Sequence, residues 1–317
     1  MKIGFIFDTQ KDYKIRDNTI YADFCQVEEA EFICRTLRKL GHQVCIIGSI
    51  KDFLADQNKY MYDLIFNKCE GFNSRNREGI APACLEAYGI PYIGTDAYGL
   101  SLSLNKFHTK LIAKYLGVET PKFEVIRSVK DVKNVKLEYP FIVKPNNEGS
   151  SMGVVIVDSD AELYDTVDRL LKIYGQEIMC EEYIQGDEIS VPIIGVGANA
   201  EVLGITEFRP LNGERFKIYS TDDKYITGCR SFIYDCPAEL RSKIIKNSLL
   251  MYREMGLMDY GRVDFRIKND VPYFLEVNPL PTLEEGTSFV ICSEANGRTF
   301  ADTLDKIIKC SLCKGTR

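Results

Sequence analysis

Two short segments toward the C-terminal end hold the residues best suited to chemistry: Tyr260-Gly-Arg262-Val-Asp264-Phe-Arg266 and Tyr273-Phe-Leu275-Glu276-Val-Asn278-Pro279. Each alternates polar with apolar residues, the period of a half-buried strand. Arg262 and Asp264 therefore share one face, as do Glu276 and Asn278. Val263, Phe265, Leu275 and Val277 fall on the opposite, buried faces. Lys268 to Val271 contains Asn-Asp and predicts a hairpin loop. With position 270 at its centre, Asp264 stands opposite Glu276 and Arg262 opposite Asn278. Two facing carboxylates repel unless a cation lies between them. With the neighbouring amide they offer hard oxygen ligands, which suit Mg²⁺ or Mn²⁺ rather than zinc. The competing reading is a solvated strand face with incidental charges. Placing 264 and 276 on non-adjacent strands would remove the metal.

A second constellation is Pro140-Phe-Ile-Val-Lys144-Pro145-Asn-Asn-Glu148-Gly149-Ser150-Ser151-Met-Gly153. An apolar strand delivers a lysine, and a glycine-serine loop then turns into another strand. Such a loop can aim backbone N–H and hydroxyl groups at phosphate oxygens while Lys144 adds charge. It is not a Walker A loop: the nearest approach to GxxxxGK[ST], Gly256 to Gly261, is followed by Arg262. An ordinary hairpin has the same composition. Further on, Cys180-Glu181-Glu182-Tyr183-Ile184 and Gly186-Asp-Glu188 set acidic groups around an aromatic at a strand end. That arrangement suits an adenine and a ribose, or simply an edge strand.

The elements that must position these residues alternate strand and helix. Lys2 to Phe7, Val44 to Ile47 and Asp63 to Phe66 read as strands, and Val27 to Leu40 as a helix closed by Gly41. Together they predict a parallel α/β layer. Ser101 to Leu116 reads as one helix stopped by Gly117. Strands at Phe141 to Val143, Val154 to Val157 and Ile178 to Ile184 surround a helix over Ala161 to Tyr174. A third unit has strands Ile189 to Ile194 and Val202 to Phe208, a polar loop over Asn212 to Gly228, and a helix over Ala238 to Met255. The two chemical strands and a helix over Thr299 to Ile308 close it.

Composition narrows the class. The chain has 317 residues, 40 Lys and Arg against 46 Asp and Glu, a net charge of -6, and 45% hydrophobic residues. That length predicts two or three domains, and that charge offers no general attraction to nucleic acid or anionic lipid. No apolar run reaches the ~20 residues of a membrane span, and no signal peptide is evident, so a cytoplasmic protein is expected. Only His42 and His108 are present, which leaves little for two-His zinc motifs or His-based triads. Eleven cysteines, mostly in apolar surroundings, read as small buried hydrophobes. The lone Cys310-Ser-Leu-Cys313 lacks a partner pair for zinc.

In order and spacing the motifs resemble the ATP-grasp superfamily, and within it the D-alanine–D-alanine ligase family. The matching stretches are Gly89-Ile-Pro-Tyr-Ile-Gly94, Asn105-Lys106, Pro140 to Gly153, Glu181 to Glu188, Asp223-Lys224-Tyr225, Cys236-Pro-Ala, Gly261 to Asp264 and Leu275 to Pro281. The resemblance implies an ATP-grasp α/β fold, α+β in its nucleotide-binding part, with three domains. These are a parallel N-terminal α/β substrate layer (1–100), a central lid (101–187), and a C-terminal domain carrying the metal and catalytic site (188–317). It implies phosphate-binding roles for Lys106 and Lys144, adenine contacts for Glu181, Tyr183 and Ile184, and a ribose ligand in Glu188. Ser150 and Ser151 become the lid loop above the phosphates. Asp264, Glu276 and Asn278 become magnesium ligands, and Arg262 steadies the transferred phosphate. Lys224 and Tyr225 become a closing loop, and Thr287 and Ser288 bind the second substrate.

The implied reaction joins two amino acids, with ATP and Mg²⁺ (or Mn²⁺), through an acyl-phosphate that an amine attacks. A homodimer is expected from resemblance alone. Departures fall in the amino-acid pocket. The first turn is Asp8-Thr9-Gln10, and no glutamate stands where the family holds the first substrate's ammonium, leaving Asp23 or Glu28 as substitutes. A Leu-His-Gly element becomes Cys69-Glu70-Gly71, and Pro-Gly becomes Pro281-Thr282. The alternatives are a ligase making a different dipeptide or amide, and an ATP-binding regulator without turnover.

Overall fold

A computed structural model describes residues 1–9, 24–72, 74–210 and 229–313. Strands β1 (Lys2–Phe7), β2 (Gln43–Gly48), β3 (Leu64–Lys68) and β4 (Tyr92–Ile93) form a parallel sheet in the order β2-β1-β3-β4. The expected parallel α/β layer is present. Helix α1 (Val27–Lys39) turns Ala30, Ile33, Cys34 and Leu37 onto one face of this sheet, and Gly41 ends it at φ +84°. Helices α2 (Ile50–Ala55) and α3 (Ile80–Ala87) cover the other face, through Phe53, Ala81 and Leu85 against Ile6 and Ile65. Coverage of both faces is what a parallel sheet requires.

The helix expected over 101–116 is two helices, α4 (Ala97–Leu104) and α5 (Lys106–Tyr115). Asn105 between them is extended (φ -87°, ψ 96°), and its side-chain oxygen accepts the His108 N–H at 2.9 Å. An asparagine that reads as helix interior instead caps the second helix. The break sets Lys106 in the first turn of α5, its own N–H bonded to the Asn146 carbonyl at 3.1 Å.

A second, antiparallel sheet contains β5 (Phe123–Ile126), β6 (Phe141–Pro145), β7 (Val155–Val157) and β8 (Ile178–Glu182) in the order β5-β8-β6-β7. Helix α6 (Asp160–Tyr174) seals one face with Leu163, Val167 and Leu170. The third sheet is antiparallel, ordered β12-β11-β9-β13-β14, with β10 paired to β9. Its strands are β9 (Asp187–Ile194), β10 (Glu201–Val202), β11 (Thr206–Pro210), β12 (Cys229–Ile233), β13 (Tyr260–Lys268) and β14 (Val271–Asn278). The single strand expected over 202–208 is split at Gly204, where any Cβ would lie 2.6 Å from the Cys292 sulfur. Helix α7 (Ala238–Glu254) and residues of α4 and α5 fill the core of this sheet. Helices α8 (Ser288–Ala295), which sequence patterning did not separate, and α9 (Phe300–Leu312) close the chain against the N-terminal layer. Cys310 and Cys313 are both free thiols. The polar loop expected over 212–228 lies outside the described residues.

The β13–β14 hairpin reaches the expected pairing by an unexpected route. Asn269 and Asp270 both have positive φ (+51° and +58°), so the turn is a two-residue one centred between them, not at 270. The ladder runs from Lys268↔Val271 to Phe265↔Phe274 and then slips by one residue. Beyond the slip, Asp264 faces Glu276 and Arg262 faces Asn278. Leu275 is the extra residue, a β-bulge. The bulge corrects one expectation: Leu275 does not line the buried face but a cavity beside Glu276.

Candidate active site

Central strand β13 presents Arg262, Asp264 and Arg266 on one face, each beside a residue of β9. The register pairs Arg262 with Pro192, Asp264 with Ser190, and Arg266 with Glu188. Asp264 is the hub. Arg262 Nε and Nη2 donate to its two oxygens at 2.8 and 2.9 Å, the Ser190 hydroxyl donates at 2.8 Å, and the Asn278 amide donates at 2.6 Å. Opposite it, Glu276 pairs with Lys106 at 3.2 Å. The repulsion expected between the facing carboxylates is thus offset by a separate side-chain cation on each. Burial alone would push the Glu276 carboxyl up, but Lys106 and Lys144, then Arg262, hold it at about 2.

Next to this row, Lys144 on β6 pairs with Glu181 on β8 at 3.1 Å, and Lys110 on α5 pairs with the other Glu181 oxygen at 2.8 Å. Lys110 has 0% of its side chain exposed and Glu181 has 1%. The Lys110 ammonium also donates to the Thr120 hydroxyl and the Phe274 carbonyl, at 3.1 and 3.2 Å. The ammonium is thus held by one carboxylate, one hydroxyl and one backbone carbonyl. The two partners titrate differently. Burial pulls Lys110 down to about 8 despite Glu181, whereas the two lysines outweigh burial at Glu181 and hold its carboxyl below the usual range. Arg266 fixes the next corner, donating to Glu188 at 2.8 Å and to the Ile184 carbonyl at 3.0 Å.

Two cavities meet at this row. The first runs between the second and third sheets. Its walls are Ile142, Met152, Val154, Ile184 and Leu275, and its polar lining includes Lys106, Lys144, Ser151, Glu181, Glu188 and Glu276. Apolar walls with lysines at one end suit a flat heterocycle bearing phosphates. Tyr183 is not among its lining residues; the Arg266 guanidinium lies 5.4 Å from its ring centre. The second cavity, of about 360 Å³, shares Gly149, Ser151, Glu188 and Glu276 with the first. It adds Ser150, Arg262, Asp264, Asn278, Thr287 and Ser288, and extends to Phe24, Glu29, Lys68 and Glu70 of the N-terminal layer. Ser150 and Ser151 stand there with φ +48° and +58°. Thr287 is the N-cap of α8 and Ser288 its first residue, so that helix offers unsatisfied N–H groups near the cavity.

The described predicted site residues converge from the second and third sheets, the start of α5, the 150–151 loop and the start of α8. Asp23, Lys224 and Tyr225 lie outside the described residues. Glu28 is exposed, and the neighbouring Glu29 instead turns inward, because α1 buries the 29-30-33-37 face. Patterning passed over Ser190, Arg266, Lys110 and Lys68. Ser190 and Arg266 were legible as two-residue steps from Glu188 and Asp264; Lys110 and Lys68 carried no signal, since a buried lysine looks like any surface lysine in sequence.

With this geometry in hand, comparison with known proteins is decisive. A family profile described as D-ala D-ala ligase C-terminus matches residues 111–309. The chain belongs to the D-alanine–D-alanine ligase family. A D-alanine–D-alanine ligase of Thermotoga petrophila is 32% identical over 292 residues, 91% of this chain and 93% of that protein. The crystal structure of a Bacillus anthracis D-alanine–D-alanine ligase complexed with ATP superposes with a TM-score of 0.78 and 25% identity, covering 98% of this chain and 97% of that one. The Enterococcus faecalis VanG D-Ala:D-Ser ligase shares the fold, with a TM-score of 0.76 at 21% identity, covering 98% of this chain and 99% of that one. The chain is an ATP-grasp enzyme, an ATP-dependent ligase that forms a C–N bond and acts on small amino-acid substrates.

Proposed function

We propose that this chain joins two D-alanines, or a closely related pair of amino acids, through an acyl-phosphate. The observation that carries this reading is the Ser190–Asp264–Glu276 row, with Arg262 and Asn278, at the junction of an apolar-walled cavity and one open to the N-terminal layer. ATP lies in the first cavity, its base against Ile184 and Leu275, its ribose at Glu188, and its phosphates at Lys106 and Lys144 under Ser150 and Ser151. The amino acids occupy the second, where the first substrate's carboxylate attacks the γ-phosphorus and ADP leaves. The second substrate's amine then attacks the acyl carbon and phosphate departs. Arg262 offsets charge on the transferring group, and the α8 N-terminus with Thr287 and Ser288 binds the second carboxylate.

The residues present fit Mg²⁺ or Mn²⁺. Among the described residues no group of three His, Cys, Asp or Glu side chains forms a closed metal site. Two carboxylates and an amide, Asp264, Glu276 and Asn278, match a hard cation completed by phosphate oxygens and water. When bound, such a cation neutralises phosphate charge. No helix among the described residues is long and apolar enough to cross a membrane. We place the protein in the cytoplasm, where ATP is supplied, with a product destined for peptidoglycan.

Phosphate release from ATP and Mg²⁺, measured against single D- and L-amino acids and then pairs with product masses recorded, tests the reading. D-alanine alone should drive release and yield the dipeptide. Release only with another pair would keep the chemistry and replace the substrate; ATP binding without release across the panel would overturn ligation.

A further inference from the structure

The second cavity has a floor that the reaction does not use. Lys68, at the end of β3, and Glu29, in the first turn of α1, form an ion pair at 3.0 Å with 2% and 4% of their side chains exposed. The ammonium also donates to the carbonyls of Leu280 and Pro281, at 3.2 and 2.9 Å. The ammonium is thus surrounded by one carboxylate and two backbone carbonyls, all within 3.2 Å. Glu29 accepts a further bond from the Leu283 N–H at 2.8 Å, on the same oxygen that meets Lys68. One buried pair therefore holds two carbonyls and one N–H of the segment 280–283. That segment lies between Asn278 and the cap of α8, and its own Thr282 and the following Glu284 and Glu285 line the cavity.

We infer that Lys68 and Glu29 are positioning residues: a clamp, reaching from the N-terminal layer, that sets the 279–287 loop as the wall of the amino-acid subsite. The inference rests on the ligase reading for its kinetic consequence but not for the clamp itself. A backbone loop without repeating hydrogen bonds has no rigidity of its own, and its amides are free to open. The pair supplies that rigidity, and it joins the loop to the sheet on the far side of the cavity from the nucleotide.

Apolar side chains of similar size can replace a buried ion pair with little loss of global stability, but they leave the backbone groups of 280–283 without these partners, so a clamp shows in the order of the loop rather than in the melting temperature. The test is the double variant Glu29→Leu/Lys68→Met, compared with wild type by thermal unfolding, by hydrogen exchange across 279–287, and by kinetics with D-alanine and ATP. The melting temperature should stay close to that of wild type while exchange across the loop rises at least about ten-fold. KM for D-alanine should rise at least about ten-fold with KM for ATP within about two-fold. Unchanged loop exchange in the folded variant overturns the clamp. A parallel rise in both KM values overturns its assignment to the amino-acid subsite. If wild type shows no turnover with any amino acid, the ligase reading fails while the exchange arm still decides the clamp. If the double variant does not fold, Lys68→Met removes both bonds to the Leu280 and Pro281 carbonyls: faster loop exchange supports the clamp, and wild-type exchange overturns it.

Discussion

At the scale of single residues, charge neutrality explains the site. Asp264 and Glu276 face each other, yet each has its own cation, Arg262 and Lys106 respectively. Removing Arg262 would expose developing phosphate charge and free Asp264 at once. Arg262→Ala should lower kcat by at least ~10²-fold, read in steady-state phosphate release; a change confined to KM would deny the role. Asp264→Ala with Glu276→Ala should abolish metal-dependent turnover while the far-UV spectrum stays native, and unchanged ATP consumption would refute the metal ligands. Lys110 is a different case. It touches Glu181, the Thr120 hydroxyl and the Phe274 carbonyl and lies fully buried, so Lys110→Met leaves the inner Glu181 oxygen without its cation. Breaking a buried pair from one side costs about 3–5 kcal/mol, which urea unfolding would register.

At the scale of elements, short irregularities place these residues. The cap at Asn105 begins α5 and so fixes Lys106; Asn105→Ala should cost about 1 kcal/mol and move the Lys106 ammonium away from Glu276. Gly186 joins β8 to β9, and any Cβ there would stand 1.8 Å from the Ile267 carbonyl oxygen, a backbone atom with no room to yield. Gly186→Ala should therefore force apart the second sheet and β13 where Ile184, Glu188 and Arg266 converge. The expected loss is at least about 1–3 kcal/mol, with weakened ATP binding in calorimetry. Wild-type stability and affinity would show that this junction is looser than its geometry. Glycine here is required by close approach rather than by backbone conformation.

At the scale of the whole molecule, one buried carboxylate links separate bodies. Glu181 belongs to the second sheet, Lys110 to α5, and Lys110 also holds the Phe274 carbonyl of the third sheet. The folded carboxyl titrates below its ordinary value of 4.5. Its contribution to stability is therefore complete above that value and is lost as pH falls through the lower, folded value. Wild type should lose unfolding free energy below pH 4.5 in a way that Glu181→Gln does not, so the gap between them narrows with acid. A constant gap would mean that the carboxylate's charge does not join the two sheets.

Much of this was written in the chain. Alternation alone put Arg262 with Asp264 and Glu276 with Asn278, because a strand's side chains change face at every residue. The parallel layer was legible because α1 has a helical apolar stripe ended by a left-handed glycine. The register was only half determined: turn type and bulge each moved the pairing, and their effects cancelled at Asp264 but not at Leu275. Glu28 and Glu29 differ in sequence by a single step, and the phase of a packed helix chose between them. Lys68 and Lys110 became functional candidates only when burial removed their water and the fold supplied acceptors from segments distant in sequence. Local period is a property of neighbours along the chain, whereas the partner of a buried charge is decided by the surfaces that exclude water around it.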